Sequence, residues 1–170
     1  MVALLPPERA VSPALPVAAP PHARVAPVVP GCLGYNGLDR LNPPAQVRAG
    51  RFAVPGAAPV TVARGGRVDR GVDWALAPGG DRTWQLWLHS LEWLGGLVRA
   101  YERTGDLGAL DLAGVVVRDW LAANRRPARF DARRREAIEE GTRFRLITMV
   151  CLRAHLAAGR LDGAIAEHAR

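Results

Sequence analysis

DRTWQLWLHSLEWLGGLVRAYERTGDLGALDLAGVVVRDWLAAN, residues 81–124, is the stretch whose spacing decides the fold class. In its first half Trp84, Trp87, Leu88, Leu91, Leu94, Val98 and Tyr101 recur three or four residues apart, the period of an apolar helix face. In the second half Leu107, Leu110, Gly114, Val117, Trp120 and Leu121 do the same. Asp81 and Asp106 stand where N-caps belong, because a carboxylate there accepts from backbone N–H groups that have no partner inside the helix. Gly105 suits the left-handed residue that closes the first helix. The stretch therefore predicts an antiparallel helical hairpin turning at Thr104-Gly105-Asp106.

Working outward toward the N-terminus, the character of the chain changes. Of its 14 prolines, 12 lie in residues 1–60, a density that no helix survives. Residues 1–30 read as an extended or disordered Pro/Ala/Val-rich leader. Pro6, Pro7 and Glu8 interrupt its apolar start, which makes it a poor signal peptide, and cytoplasm is the default location. Between the leader and the hairpin, Arg51-Phe52-Ala53-Val54 and Val60-Thr61-Val62 flank turn-forming prolines and read as short strands packed beside the helices. Trp74 is expected to pack on the first helix.

Beyond the hairpin, Asn124 to Arg129 reads as a basic loop. A third helix is expected from about Arg134 to Ala158, with Ile138, Thr142, Arg145, Leu146, Met149, Leu152 and Leu156 along one stripe. Leu161 to Arg170 reads as the start of a fourth. No run approaches the roughly 18 apolar residues of a membrane span.

The net charge of +7 comes from Arg alone, since the chain has no Lys. It is spread along the sequence apart from Arg125-Arg126 and Arg133-Arg134-Arg135, so a nucleic-acid partner is not expected. Cys32 and Cys151 are too few for a disulfide scaffold or a thiolate zinc site, and Cys151 reads as a buried thiol. His22, His155 and His168 lack ligand-spaced partners, so no metal is expected, and no cofactor motif is present. Glu139 and Glu140 are adjacent and point in different directions, which suits paired-carboxylate hydrolysis badly.

Three residues remain as candidates for binding substrate. Gln85 and His89, with Glu92, form a polar line on the first helix opposite part of the leucine stripe. An imidazole there could meet an acidic sugar or act as a base, or the line could be an exposed polar face with no role. Arg145 falls inside an apolar stripe and cannot be buried without partners. Either an acid on the hairpin, Asp111 or Asp119, pairs with it, or it faces a carboxylate substrate. The tryptophans could stack on sugars, but their helical spacing among leucines favours core packing.

Several pieces in order resemble a known family. Asp81-Arg82-Thr83-Trp84, Trp87-Leu88-His89-Ser90-Leu91-Glu92-Trp93-Leu94, Ala100-Tyr101, Thr104-Gly105-Asp106 and Arg118-Asp119-Trp120 are similar to the N-terminal helical domain of heparinase II/III-like polysaccharide lyases. Gly50-Arg51-Phe52 and Arg67-Val68-Asp69 resemble the lead-in to that domain. Glu140-Gly141-Thr142, Arg145 and Val150-Cys151-Leu152-Arg153 resemble its next long helix. The chain departs from the family before that helix, where Arg135, Glu136 and Ile138 stand in place of a usual Trp.

The resemblance implies an all-α fold: an incomplete (α/α) toroid of antiparallel helices, residues 48–170, behind a leader of residues 1–47. It implies cleavage of acidic, uronate-containing polysaccharides by β-elimination. The family's base and carboxylate-neutralising groups lie further along the toroid than this sequence reaches, so no catalytic residue is assigned and the chain is expected to be inactive alone. The expected partners are an acidic polysaccharide and the remainder of the toroid. A non-catalytic helical module that binds carbohydrate or another protein is the alternative.

Overall fold

The computed structural model of the chain describes residues 36–126 and 129–154. The leader up to residue 35, the end of the third helix after residue 154 and the expected fourth helix lie outside the described residues, as do Cys32, His22, His155 and His168.

Folding begins earlier than residue 48. Against the expectation that the proline density of residues 1–60 excludes helices, Leu38–Leu41 (α1) and Pro44–Arg48 (α2) are short helices, and Pro44 takes the first turn, where a missing N–H costs nothing. Leu38 and Val47 enter the core. Between them Asn42 is fully buried: its amide donates to the Leu38 and Ala53 carbonyls, and its Oδ1 accepts from Ala53 N–H. Arg51–Phe52 (β1) and Val60–Thr61 (β2) then pair antiparallel, with Phe52 opposite Val60, as the turn-flanked apolar pieces predict.

Residues 82–123 hold the expected antiparallel packing, but the first half is two helices. Arg82–Ser90 (α3) ends at Leu91, whose φ of 61° is left-handed. A 3-10 turn, Glu92–Leu94, leads into Gly95–Thr104 (α4). Side chains tie off the break. Ser90 Oγ donates to the Trp87 carbonyl and accepts from Glu92 N–H, and Trp93 Nε1 donates to the Leu88 carbonyl. A left-handed leucine costs about 1–2 kcal/mol. Full burial of its side chain stabilises by about 2 kcal/mol, enough to hold it there.

The caps fall where the sequence puts them. Asp81 accepts from Trp84 N–H and Asp106 from Ala109 N–H, each at 3.1 Å, and Gly105 is left-handed at φ 73°. Leu107–Ala123 (α5) packs on α4, and Ala132–Glu140 (α6), capped by Asp131, packs on α3. After a turn at Gly141, residues 142–154 are helical again (α7). Phe52 sits at the centre of the core, 5.1 Å from the Trp84 ring and 5.6 Å from Trp93. Cys151 is buried, as the sequence suggests, but the expectation of a plain thiol is wrong: it is disulfide-bonded. Among the described residues no helix is long and apolar enough to cross a membrane.

Candidate functional site

The three residues singled out from sequence all lie inside the protein, with Gln85, His89 and Arg145 at 4%, 0% and 6% exposure. The polar line Gln85–His89–Glu92 is therefore no exposed face, because Glu92 is buried too. Glu92 accepts both the backbone N–H and the side-chain amide of Asn36.

His89 is held by two tryptophans. Trp120 Nε1 lies 3.0 Å from His89 Nδ1, and an indole nitrogen can only donate, so Nδ1 is the accepting, unprotonated nitrogen. The ring proton then sits on Nε2 and is donated to the Trp74 carbonyl at 3.1 Å. Protonating Nδ1 would break the first bond. Burial, reinforced by the positive fields of Arg134 and Arg145, pushes the imidazole down to about 3. At neutral pH His89 is an uncharged spacer between two indoles.

Trp74 reaches this position from an irregular segment because Asp119 fastens it. Asp119 Oδ2 accepts from Trp74 Nε1 at 2.7 Å and from Val72 N–H at 3.0 Å. The Trp74 ring packs 5.8 Å from that of His89, which fulfils the expectation that it covers the first helix. At the other end Asn124 donates to the Trp120 carbonyl and accepts from Arg134 Nη2, while the Arg134 guanidinium lies 3.9 Å over the Phe130 ring. One hydrogen-bonded path thus runs Asp119–Trp74–His89–Trp120–Asn124–Arg134.

Arg145 meets neither expected acid. Asp119 is committed to Trp74, and Asp111 is exposed on α5. Its Nη1 instead donates to the His89 carbonyl at 3.0 Å, and its Nη2 to the Ile138 carbonyl and Thr142 Oγ1 at 2.9 and 2.8 Å. The guanidinium also stacks 4.2 Å from the Trp120 ring. The break at Leu91 explains the first contact, since a carbonyl in the last turn of a helix has no intrahelical donor. A cation there also meets the negative end of the helix dipole. Burial pulls the guanidinium down to about 10, which leaves it charged at neutral pH.

His89 and Arg145, singled out separately from the sequence, meet here through the bond from Arg145 to the His89 carbonyl. Sequence reasoning misses the groups that join them: Trp74, Asp119, Trp120, Asn124 and Arg134. The Arg118-Asp119-Trp120 cluster was the available signal. Chemically the assembly orders donors and acceptors and holds one proton in place. Among the described residues no three His, Cys, Asp or Glu side chains stand together to hold a metal ion. No protein-family model, curated protein or solved structure matches this chain.

Proposed function

We propose that this chain is the N-terminal part of a helical domain resembling that of heparinase II/III-like lyases, from a protein that cleaves uronate-containing polysaccharides by β-elimination, and that residues 1–170 do not perform the reaction alone. Support for the lyase assignment comes from the ordered resemblance over residues 48–170, together with antiparallel helices in the matching stretch. The observation that carries the inactivity is the sealing of His89. Both ring nitrogens are engaged, no face is open to solvent, and burial lowers the ring's affinity for a proton, so it is not placed to take a proton from a substrate. Arg145, equally buried, would act by holding α7 against the end of α3, and Gln85 would be part of the buried interior.

The test is direct. Purified residues 1–170 are incubated with alginate, heparin and hyaluronan and followed by the ultraviolet absorbance of an unsaturated uronate. No product is expected; product would sink the inactivity. The lyase assignment is tested on the polypeptide encoded through and beyond Arg170: it fails if that protein releases no unsaturated uronate from any of these polymers.

A second reading, a helical module that binds a partner, draws on a different observation. Leu146, Ile147 and Val150 lie together on α7 at 57%, 47% and 65% exposure, an apolar face open to another surface. Within the first reading, the same face would meet the remainder of the toroid. Calorimetry with uronate oligosaccharides separates carbohydrate binding from this: heat that persists unchanged in H89A and R145A would remove those two residues from any sugar site.

A further inference from the structure

The outer side of α7 is a fixed surface. On its inner side Arg145 bonds the His89 carbonyl, the Phe144 ring lies 5.2 Å from that of Trp87, and Cys151 and Leu152 are buried. Rolling the helix to hide its other face would break these contacts. That face carries Arg143, Leu146, Ile147, Val150 and Arg153, all exposed and spread over about a third of the helix circumference. We propose that this row docks an amphipathic helix of a partner protein, one whose apolar row is bracketed at both ends by acidic residues. The proposal rests on the second reading of the chain, a module that binds a partner, and supplies that partner's chemistry.

Charge decides the occupant. Between residues 142 and 154 the chain has no Asp or Glu, and the apolar row has Arg143 one turn before it and Arg153 one turn after. Among the described residues neither guanidinium joins an ion pair. An exposed apolar patch marks a contact surface, and the charges at its rim govern which partner is accepted. A ridge of side chains on one helix packs into the grooves of another. Carboxylates about 15 Å apart along such a helix would meet both arginines.

A second copy of the chain does not offer this complement. Two α7 helices packed on each other set arginine against arginine, whether parallel or antiparallel. The other exposed large apolar residues, Leu41 and Leu121, also stand near arginines in the sequence, Arg40 for the first and Arg118 and Arg125 for the second. On α6 the exposed Glu136 and Glu140 are both paired with Arg82.

The full chain is titrated into two fluorescently labelled helical peptides and their anisotropy is read. Both peptides carry the same row of leucine and isoleucine; one has glutamates at the two ends of the row, the other lysines. The glutamate peptide is expected to bind about tenfold more tightly at low salt, an advantage that shrinks as salt is added. R143E/R153E should reverse the order, and L146E/V150E should abolish binding of both peptides while leaving the far-ultraviolet circular dichroism unchanged. Equal affinities, or an order that R143E/R153E leaves unchanged, overturn the acidic assignment and keep the partner-binding reading. Binding of neither peptide overturns both. Sedimentation velocity of the chain alone and flotation with phosphatidylglycerol vesicles complete the test. Self-association or vesicle binding that L146E/V150E removes would assign the face to a second copy or to a lipid surface, and either result overturns the proposal.

Discussion

A guanidinium buried away from any carboxylate has to be solvated by the protein itself, and Arg145 shows how. Three oxygens and an indole face replace water, two of the oxygens being main-chain carbonyls. R145M keeps the volume but strands those acceptors, so a loss of about 2–4 kcal/mol is expected in urea unfolding. At His89 the consequence is a pH dependence. An unfolded imidazole protonates near 6.5 and the folded one near 3, so between these values the unfolded state binds more protons. Stability should fall as pH drops below about 6.5, by up to about 1.4 kcal/mol per unit, with no contribution from this residue above that. Urea midpoints from pH 7 to about pH 4 check this, since H89A should lack that part of the slope. The tryptophans offer a matched comparison. Trp120 donates to His89, whereas the buried Trp84 Nε1 has no hydrogen-bond partner among the described residues. W120F leaves His89 Nδ1 unpaired and is expected to cost about 1–2 kcal/mol more than W84F; equal losses in the two variants would remove the energetic role assigned to the Trp120–His89 bond.

Among the elements, the helical hairpin was legible because caps and apolar period are local properties. Asp81, Asp106 and Gly105 act where the sequence puts them. The break at Leu91 was not legible, since Leu91 fits the stripe and its left-handed backbone is held by bonds from Ser90 and Trp93 that periodicity does not register. His89 misled for a related reason: an i, i+4 polar pair looks the same in sequence whether water or two distant indoles cover it. Arg145 was recognised as buried, but its partners are carbonyls, which every residue carries. The Gly95-Gly96 pair held an unread signal. A Cβ on Gly96 would lie 2.5 Å from the Asn42 carbonyl oxygen and 3.0 Å from that of Asp39, both backbone atoms that cannot swing aside. Alanine gains about 1 kcal/mol in helix propensity, yet overpacking of this kind costs about 1–3 kcal/mol. G96A should therefore lower the thermal midpoint by separating α1 from α4.

At the scale of the whole molecule, the lead-in is part of the core. Phe52, Val62, Val68, Val72 and Trp74 are buried with the helices, and Arg48 pairs with Asp106 at the start of α5. Among the described residues the most exposed large apolar side chains are Leu146 and Val150, one turn apart on α7. The double variant L146E/V150E should leave the thermal midpoint of the chain within about 2 °C, because both side chains are more than half exposed; a larger fall in a thermal melt would show that this face is packed within the chain.

The left-handed turn at Leu91 has a last consequence. It divides one apolar stripe between two neighbours: α3 rests on α6, while α4 rests on α5. A continuous rod would carry any disturbance along its length, but a broken one need not. Amide protons of α3 and α6 should exchange together with solvent deuterium, at a rate distinct from those of α4 and α5, and the boundary between the two cooperative units should fall at residue 91.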